Sequence, residues 1–225
     1  MSENIYLRQE SLGIQRDQKI VVVGCGGIGA WCGYFLGLAG VRELALFDGD
    51  EISEHNLNRL PFTPEDIGKP KSLALAALIR KARPETAIRA YGHFDFEVPS
   101  HCEAVSSANR VVCSTDSLRS RREVYKAVKG HPAGHLRQPE VDAIRAGRYI
   151  ELGADGLGMS ISGTPAEWAS ELEGQPGYTS VPQFVGPCAM AASMACYYIL
   201  LDQPIRDTFR VDWKDGLQVR QYQEV

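Results

Sequence analysis

No CxxC pair occurs anywhere in the 225 residues, so a zinc site built from two such pairs is excluded, and no zinc is expected. The six cysteines (25, 32, 102, 113, 188 and 196) lie within or beside apolar segments and form no compact framework of the secreted kind. They read as free thiols in a reducing compartment, the cytoplasm. Charge of one sign is also scarce. Twenty-four basic residues against 28 acidic ones leave a net charge of −4 and no broad basic field for gripping nucleic acid. The opening MSENIYLRQE lacks the apolar core of a secretory leader. The longest low-charge stretch, Val181 to Leu201, holds Pro182, Gln183 and Pro187, which fits a buried helix of a soluble domain better than a membrane span. His131 and His135 have metal-pair spacing, but the intervening Pro132 and Gly134 disfavour a helix and leave them as solvated loop histidines. There is neither a repeat nor a low-complexity tract.

What is present is an alternation of short β-branched runs with helical patterns. Strands are expected at Lys19–Val23, Glu43–Phe47, Thr86–Tyr91 and Arg110–Cys113, and helices at Gly27–Ala39, Ser72–Lys81 and Leu118–Lys129, with the end of a short helix near Glu103–Ala108. Such alternation implies an α/β, Rossmann-like fold with a mainly parallel central sheet and flanking helices. The later chain adds expected strands at Tyr149–Leu152 and Gly158–Ile161, a long excursion over 163–182 and an apolar helix from Gln183 to Leu201. A short helix near Val141–Arg145 and a closing hairpin, Thr208–Trp213 with Leu217–Tyr222, complete an antiparallel C-terminal extension. The whole reads as one domain, 1–225, with a nucleotide-binding half (1–130), a substrate-facing half (131–225) and a crossover loop over 154–182.

The first strand runs into Gly24-Cys25-Gly26-Gly27-Ile28-Gly29 and then a helix. Gly24 permits the tight turn, Gly26 lets a phosphate approach the backbone, Gly27 lies in the same loop, and Gly29 lets helix and strand pack closely. The helix N-terminus offers N–H donors and partial positive charge to an anion. Asp48 closes the second strand 19 residues after Gly29, where an acid can accept a ribose hydroxyl. Loop, helix and acid in register point to a nucleotide without saying which.

A dinucleotide-binding unit continues soon into its next crossover helix. Here a polar loop from Asp48 to Leu60 intervenes, then Gly68-Lys69-Pro70-Lys71 opens a helix. Arg59 can fork onto phosphate oxygens and Lys71 can serve as a point charge. Asp116, at the end of the fourth strand, is suited to Mg²⁺. These residues favour ATP over NAD, and an NAD-dependent oxidoreductase is the competing reading from another class. A non-catalytic partner that keeps the fold alone is a third, and the retained phosphate-binding residues oppose it.

GCGGIG, DGD, the NLNR loop, GKPK and STD follow the order and spacing of the ThiF/MoeB/HesA family of ubiquitin-activating-like adenylating enzymes. The chain resembles that family motif by motif over about residues 5–125. The resemblance implies that Asp48 binds the ATP ribose, that Asn56, Arg59 and Lys71 hold the phosphates, that Asp50 supports the pocket, and that Asp116 binds Mg²⁺. It implies a symmetric homodimer in which Arg8 reaches the neighbouring subunit's γ-phosphate; Arg121 also matches a family arginine and reads as structural. The implied activity is ATP-dependent adenylation of the C-terminal carboxylate of a small ubiquitin-like or sulfur-carrier protein, with a ribosomal peptide as the alternative substrate. Three departures stand out. No cysteine falls in 154–182, where thiol-transferring relatives carry one, the paired-cysteine zinc site is missing, and Leu60 and Ser117 replace a Gln and an Asn. Cys188 reads as a buried structural thiol, Trp31, Phe35 and Leu38 as core, Arg119–Arg122 as a solvated helix face, and His55 as an exposed loop residue.

Overall fold

The computed structural model describes residues 3–129, 148–155, 157–163, 183–205, 207–212 and 218–223. The expected short helix at Val141–Arg145, most of the 163–182 excursion and the turn of the closing hairpin lie outside them.

Among the described residues one eight-stranded sheet runs in the order β3-β2-β1-β4-β5-β6-β7-β8. The strands are β1 (Lys19–Val23), β2 (Glu43–Phe47), β3 (Ala87–Tyr91), β4 (Arg110–Cys113), β5 (Tyr149–Asp155), β6 (Gly158–Ser162), β7 (Asp207–Asp212) and β8 (Gln218–Gln223). β1 to β5 pair in parallel, and β5 to β8 are antiparallel. The expected mainly parallel sheet with an antiparallel extension is therefore observed. The helices are α1 (Gly29–Leu38), α2 (Lys71–Ala82), α3 (Pro99–Ser106), α4 (Leu118–Lys129) and α5 (Val185–Leu200).

The parallel strands are apolar on both faces, as a sheet covered on both sides requires. Ile20, Val22, Leu44, Leu46 and Val112 face one layer together with residues of α1, α2 and α5. Val21, Val23, Ala45, Phe47, Val111 and Cys113 face the other with residues of α3 and α4. This division follows from handedness. Stepping from β1 to β3 in one direction, and from β4 to β5 in the other, puts right-handed crossovers on opposite faces. The reversal of direction opens a crevice between the C-terminal ends of β1 and β4. No helix among the described residues is long and apolar enough to cross a membrane.

One expectation about the core holds only in part: Trp31 and Phe35 pack against the core from its edge. Trp31, Phe35 and Leu38 are only partly buried, and the inner face of α1 is made of Gly29, Ala30, Cys32, Gly33, Leu36 and Gly37. Small residues are needed there because α1 is squeezed against strand ends and against α2. A Cβ on Gly37 would lie 2.5 Å from Ile79 Cγ2. Leu36 is the large side chain on that inner face; Trp31 and Phe35 ride on the flanks.

The tightest approach is at Gly29, where a Cβ would lie 1.8 Å from the carbonyl oxygen of Gly24 and 2.5 Å from Ser114 Oγ. A Cβ on Gly26 would meet nothing within 4 Å. Gly29→Ala is thus expected to destabilise the fold by about 1–3 kcal/mol, the usual cost of overpacking, and Gly26→Ala to leave the thermal midpoint nearly unchanged. Thermal unfolding of the two variants checks the contrast, and equal midpoints would contradict it.

Candidate nucleotide site

Val23 pairs with both Phe47 and Cys113, so Gly24, Asp48 and Ser114 leave the sheet side by side. Gly24 turns with φ +87°, a left-handed conformation that glycine adopts without cost. Its N–H donates to the Phe47 carbonyl over 2.8 Å, and Ser114 Oγ donates to its carbonyl over 2.8 Å. The loop is thereby stitched to β2 on one side and to the end of β4 on the other.

Ile28 caps α1 with no side-chain hydrogen bond; in the first turn Ala30 N–H donates to the Gly26 carbonyl over 3.0 Å, and the other N–H groups of that turn are left for an external acceptor. The space above Gly26 is open. An anion at that point would meet the helix N-terminus directly.

Asp48 is held by two backbone donors, Cys25 N–H to Oδ2 at 2.6 Å and Asp50 N–H to Oδ1 at 2.8 Å. Burial pushes its carboxyl up from the ordinary aspartate value, while those two N–H groups and the Lys71 ammonium pull the other way. Each carboxylate oxygen keeps a further lone pair for a hydroxyl. Lys71, the first residue of α2, is buried. Its Nζ meets Asp50 Oδ2 at 2.7 Å and its N–H donates to the Asp50 carbonyl over 2.9 Å. Asp50 thus anchors Lys71 from the solvent side, leaving two ammonium protons unspent on it.

The polar loop is ordered from within. Asn56 is buried, and its Oδ1 accepts from Ser53 N–H over 3.1 Å in a capping box. Its amide NH₂ points to no acceptor among the described residues. Arg59 crosses over the glycine loop, its Cδ and Cγ 3.2 and 3.3 Å from where a Gly27 Cβ would be. Its Nη1 donates to the His55 carbonyl and to Asn58 Oδ1, and its Nε is enclosed without an acceptor. Lying over the glycine loop, a guanidinium can fork onto phosphate oxygens. His55 is exposed, as expected.

Asp116 lies in the turn between β4 and α4, exposed, with no donor on its carboxylate among the described residues. No group of three His, Cys, Asp or Glu side chains that could hold a metal occurs among the described residues. A single carboxylate nevertheless suits Mg²⁺, which takes one or two protein oxygens and completes its shell with phosphate and water.

The glycine loop, Asp48, Asp50 and Lys71 are thus linked by direct hydrogen bonds, and Arg59 lies over Gly27 with its backbone N–H donating to the Asn56 carbonyl over 3.1 Å. Asp116 sits in the turn after the neighbouring strand β4. Arg8 lies apart from this group. Its neighbours Tyr6 and Gln9 dock at the far end of α1, with the Tyr6 ring against Gly40 and Gln9 Nε2 donating to the Ala39 carbonyl over 2.7 Å. The helix between spans roughly 15 Å, so Arg8 is out of reach of its own chain's loop.

The run Arg119–Arg122 is only partly a solvated face. Arg119 and Arg122 are exposed, but Arg121 is 7% exposed. Its Nε donates to the Thr115 carbonyl over 2.7 Å and its Nη1 to Glu151 Oε1 over 2.9 Å. The structural role implied for Arg121 fits this burial. Glu151 itself escaped the sequence reading. The available signal was a lone acid in an apolar strand, Tyr149-Ile150-Glu151-Leu152, since a buried carboxylate needs a partner.

All six cysteines are free and only Cys102 is not buried. Cys188, fully buried, packs under the loop, its Sγ 3.0 Å from a Gly27 Cβ position. Burial pushes its thiol up to about 11, against the opposing pull of Arg59. Only about one molecule in a thousand carries the thiolate at pH 8, and the thiolate is the reactive form. Iodoacetamide at pH 8 is therefore expected to leave Cys188 unmodified in the folded protein, with labelling rising only as pH approaches 11. Peptide mass spectrometry reads the outcome, and rapid labelling at pH 8 would contradict the burial.

Comparison with known proteins is consistent with this arrangement. The ThiF family profile matches residues 7–160. The chain is 37% identical over 115 residues to ubiquitin-like modifier-activating enzyme 5 of Bombyx mori, covering 50% of this chain and 29% of that protein. It is 31% identical over 112 residues to the sulfur carrier protein ThiS adenylyltransferase of Escherichia coli K12, covering 49% and 44%. The matches thus span less than half of these relatives' own lengths. Among solved structures, E. coli MccB with SeMet MccA superposes with a TM-score of 0.74 at 18% identity, over 99% of this chain and 72% of that one. PaaA superposes with a TM-score of 0.70 at 19% identity, over 93% and 65%. At such identities these likenesses speak for the fold. With the family profile covering most of the chain, the protein belongs to the ThiF family.

Proposed function

We propose that this chain is an ATP-dependent adenylyltransferase that activates the C-terminal carboxylate of a small ubiquitin-like or sulfur-carrier protein. The observation that carries the reading is the guanidinium-bearing side chain of Arg59 lying over the glycine loop, a loop tied through Asp48 and Asp50 to the Lys71 ammonium. Cations gathered near a glycine loop suit the concentrated charge of a triphosphate better than the smaller charge of a dinucleotide's pyrophosphate.

In this reading the substrate carboxylate, already ionised near neutral pH, attacks the α-phosphorus. A bond forms from its oxygen to that phosphorus, the bond to the bridging oxygen breaks, and pyrophosphate leaves. Asp48 fixes the ribose, and the α1 N-terminus and the Asn56 amide hold phosphate oxygens. Arg59 and Lys71 face the charge that grows on pyrophosphate, which makes catalysis a matter of alignment and prepositioned cations. Mg²⁺ on Asp116 would supply further charge neutralisation of the phosphates. Asp50 keeps Lys71 in place. Arg8, distant from its own loop, serves the γ-phosphate of a second copy in a homodimer. The free thiols support a cytoplasmic setting.

The buried, protonated Cys188 and the lack of cysteine in 154–182 favour a reaction that ends at the acyl-adenylate. A ribosomal peptide would be an equally suitable carboxylate, and the substrate separates the two readings.

ATP with Mg²⁺ at a hundred times its Kd should stabilise the protein by about 2.7 kcal/mol, hence raise its midpoint by roughly 5–10 °C, with no shift from NADH. The converse pattern would replace this proposal with an oxidoreductase. ATP–pyrophosphate exchange, run with small proteins ending in Gly-Gly and with short peptides, then identifies the substrate class. Arg59→Ala and Asp116→Ala should each slow that exchange on the order of 10²–10³-fold, and undiminished exchange in either would refute the site assignment.

A further inference from the structure

The turn that carries Asp116 is short, solvent-facing and held from beneath by a buried charge pair. Arg121 reaches back from the first turn of α4. Its Nε donates to the Thr115 carbonyl over 2.7 Å, and its backbone N–H to the Ser117 carbonyl over 3.1 Å. The carbonyls of the residues on both sides of Asp116 are thus tied to one arginine. Its guanidinium is fixed in turn by Glu151, which accepts from Arg121 Nη1 at 2.9 Å and from the Tyr149 hydroxyl at 3.0 Å. The side chains of Arg121 and Glu151 are 8% and 3% exposed. Burial keeps the Tyr149 phenol protonated, raising it far above its ordinary value, so it can serve as the donor to Glu151.

Burying such a pair gains little stability over apolar residues of the same size, so stability alone does not account for it. Its geometry does. Glu151 pairs in register with Cys113, the last residue of β4, and lies on the strand where the sheet changes from parallel to antiparallel. A rigid planar fork between β5 and the Thr115 carbonyl sets the height of the turn above the crevice.

We infer that Glu151 is a positioning residue for Asp116, acting through Arg121 and the Thr115 carbonyl to hold that carboxylate where a divalent cation on a nucleotide would need it. This rests on the proposed ATP reaction, and it identifies what makes the metal-facing carboxylate competent. Removing such support commonly weakens metal binding by tenfold or more.

The test measures Mn²⁺ binding by electron paramagnetic resonance in the presence of the non-cleavable analogue AMPCPP, with AMPCPP affinity measured separately in EDTA. Glu151→Gln keeps the volume and one acceptor but loses the charge. It is expected to weaken Mn²⁺ about tenfold while leaving AMPCPP affinity in EDTA unchanged. Tyr149→Phe removes one hydroxyl only, and about a threefold loss is expected, so the inference stays testable should Glu151→Gln fail to fold. In an Asp116→Asn background Glu151→Gln should add less than twofold. Unchanged Mn²⁺ affinity in the folded variants, or a full further tenfold loss without Asp116, overturns the inference. Wild-type protein that fails to bind AMPCPP at all refutes the proposed function itself, a different result from a variant that binds AMPCPP and Mn²⁺ like wild type.

Discussion

The close approach of α1 to the ends of β1 and β4 governs the rest of the molecule. Gly29 touches the Gly24 carbonyl and Ser114 Oγ, and any side chain at that position would lift the helix away from the sheet. With it would go the alignment of the helix N-terminus with the crevice, and the hydrogen bond from Cys25 N–H to Asp48. Three glycines among the ten residues of α1, Gly29, Gly33 and Gly37, make it a poor helix by propensity, each costing roughly 1 kcal/mol against alanine. Burial between α2, α5 and the sheet offsets that cost. The helix exists where its neighbours hold it, as is usual for helices short of a dozen residues.

That constraint decides where charge can be stored. Around the loop the cations are held by weak or partial partners. Lys71 rests on a carboxylate that is itself 75% exposed, where water screens the attraction. Arg59 is occupied at Nη1 by neutral oxygens and unsatisfied at Nε. Deeper in, where screening is weak, Arg121 and Glu151 form a buried ion pair. The molecule therefore spends its buried ion pair on architecture, while Lys71 and Arg59 near the glycine loop keep donors unspent, an arrangement that favours a polyanionic ligand. The neutral Cys188 thiol beneath Gly27 adds no opposing negative charge.

Much of this was legible in the residues. Short apolar runs ending in Gly24, Asp48 and Ser114 fix the parallel core, because a strand buried on both faces has few alternatives in composition. The loop residues Asn56, Arg59 and Lys71 could be assigned because polar side chains gathered near a glycine turn have few structural uses. What was not legible depends on packing partners distant in sequence. Trp31 and Phe35 look like core by size, yet the inner face of α1 had to be small because Ile79 and Ser114 come so close. Arg121 looks like its neighbours Arg119 and Arg122, and only the position of Glu151, 30 residues on, turns it inward. Arg8 could be placed only by seeing Tyr6 seated on Gly40.

The two halves of the chain meet the nucleotide crevice differently. The loop, both acids of the Asp48–Asp50 segment, both cations and Asp116 all come from the first 129 residues. The second half touches the loop region through Cys188 under Gly27 and through the Gln183 carbonyl, which accepts from Asn58 Nδ2 over 3.0 Å, while Gln183 Nε2 donates to the Ala154 carbonyl over 3.0 Å. It touches the Asp116 turn through Glu151. These are contacts of support, made by one buried thiol, one backbone carbonyl and one buried acid, so the outer surfaces of the later strands can vary without disturbing the phosphate cradle. Under the proposed reaction, a fold divided in this way can keep one nucleotide chemistry and exchange the carboxylate it activates.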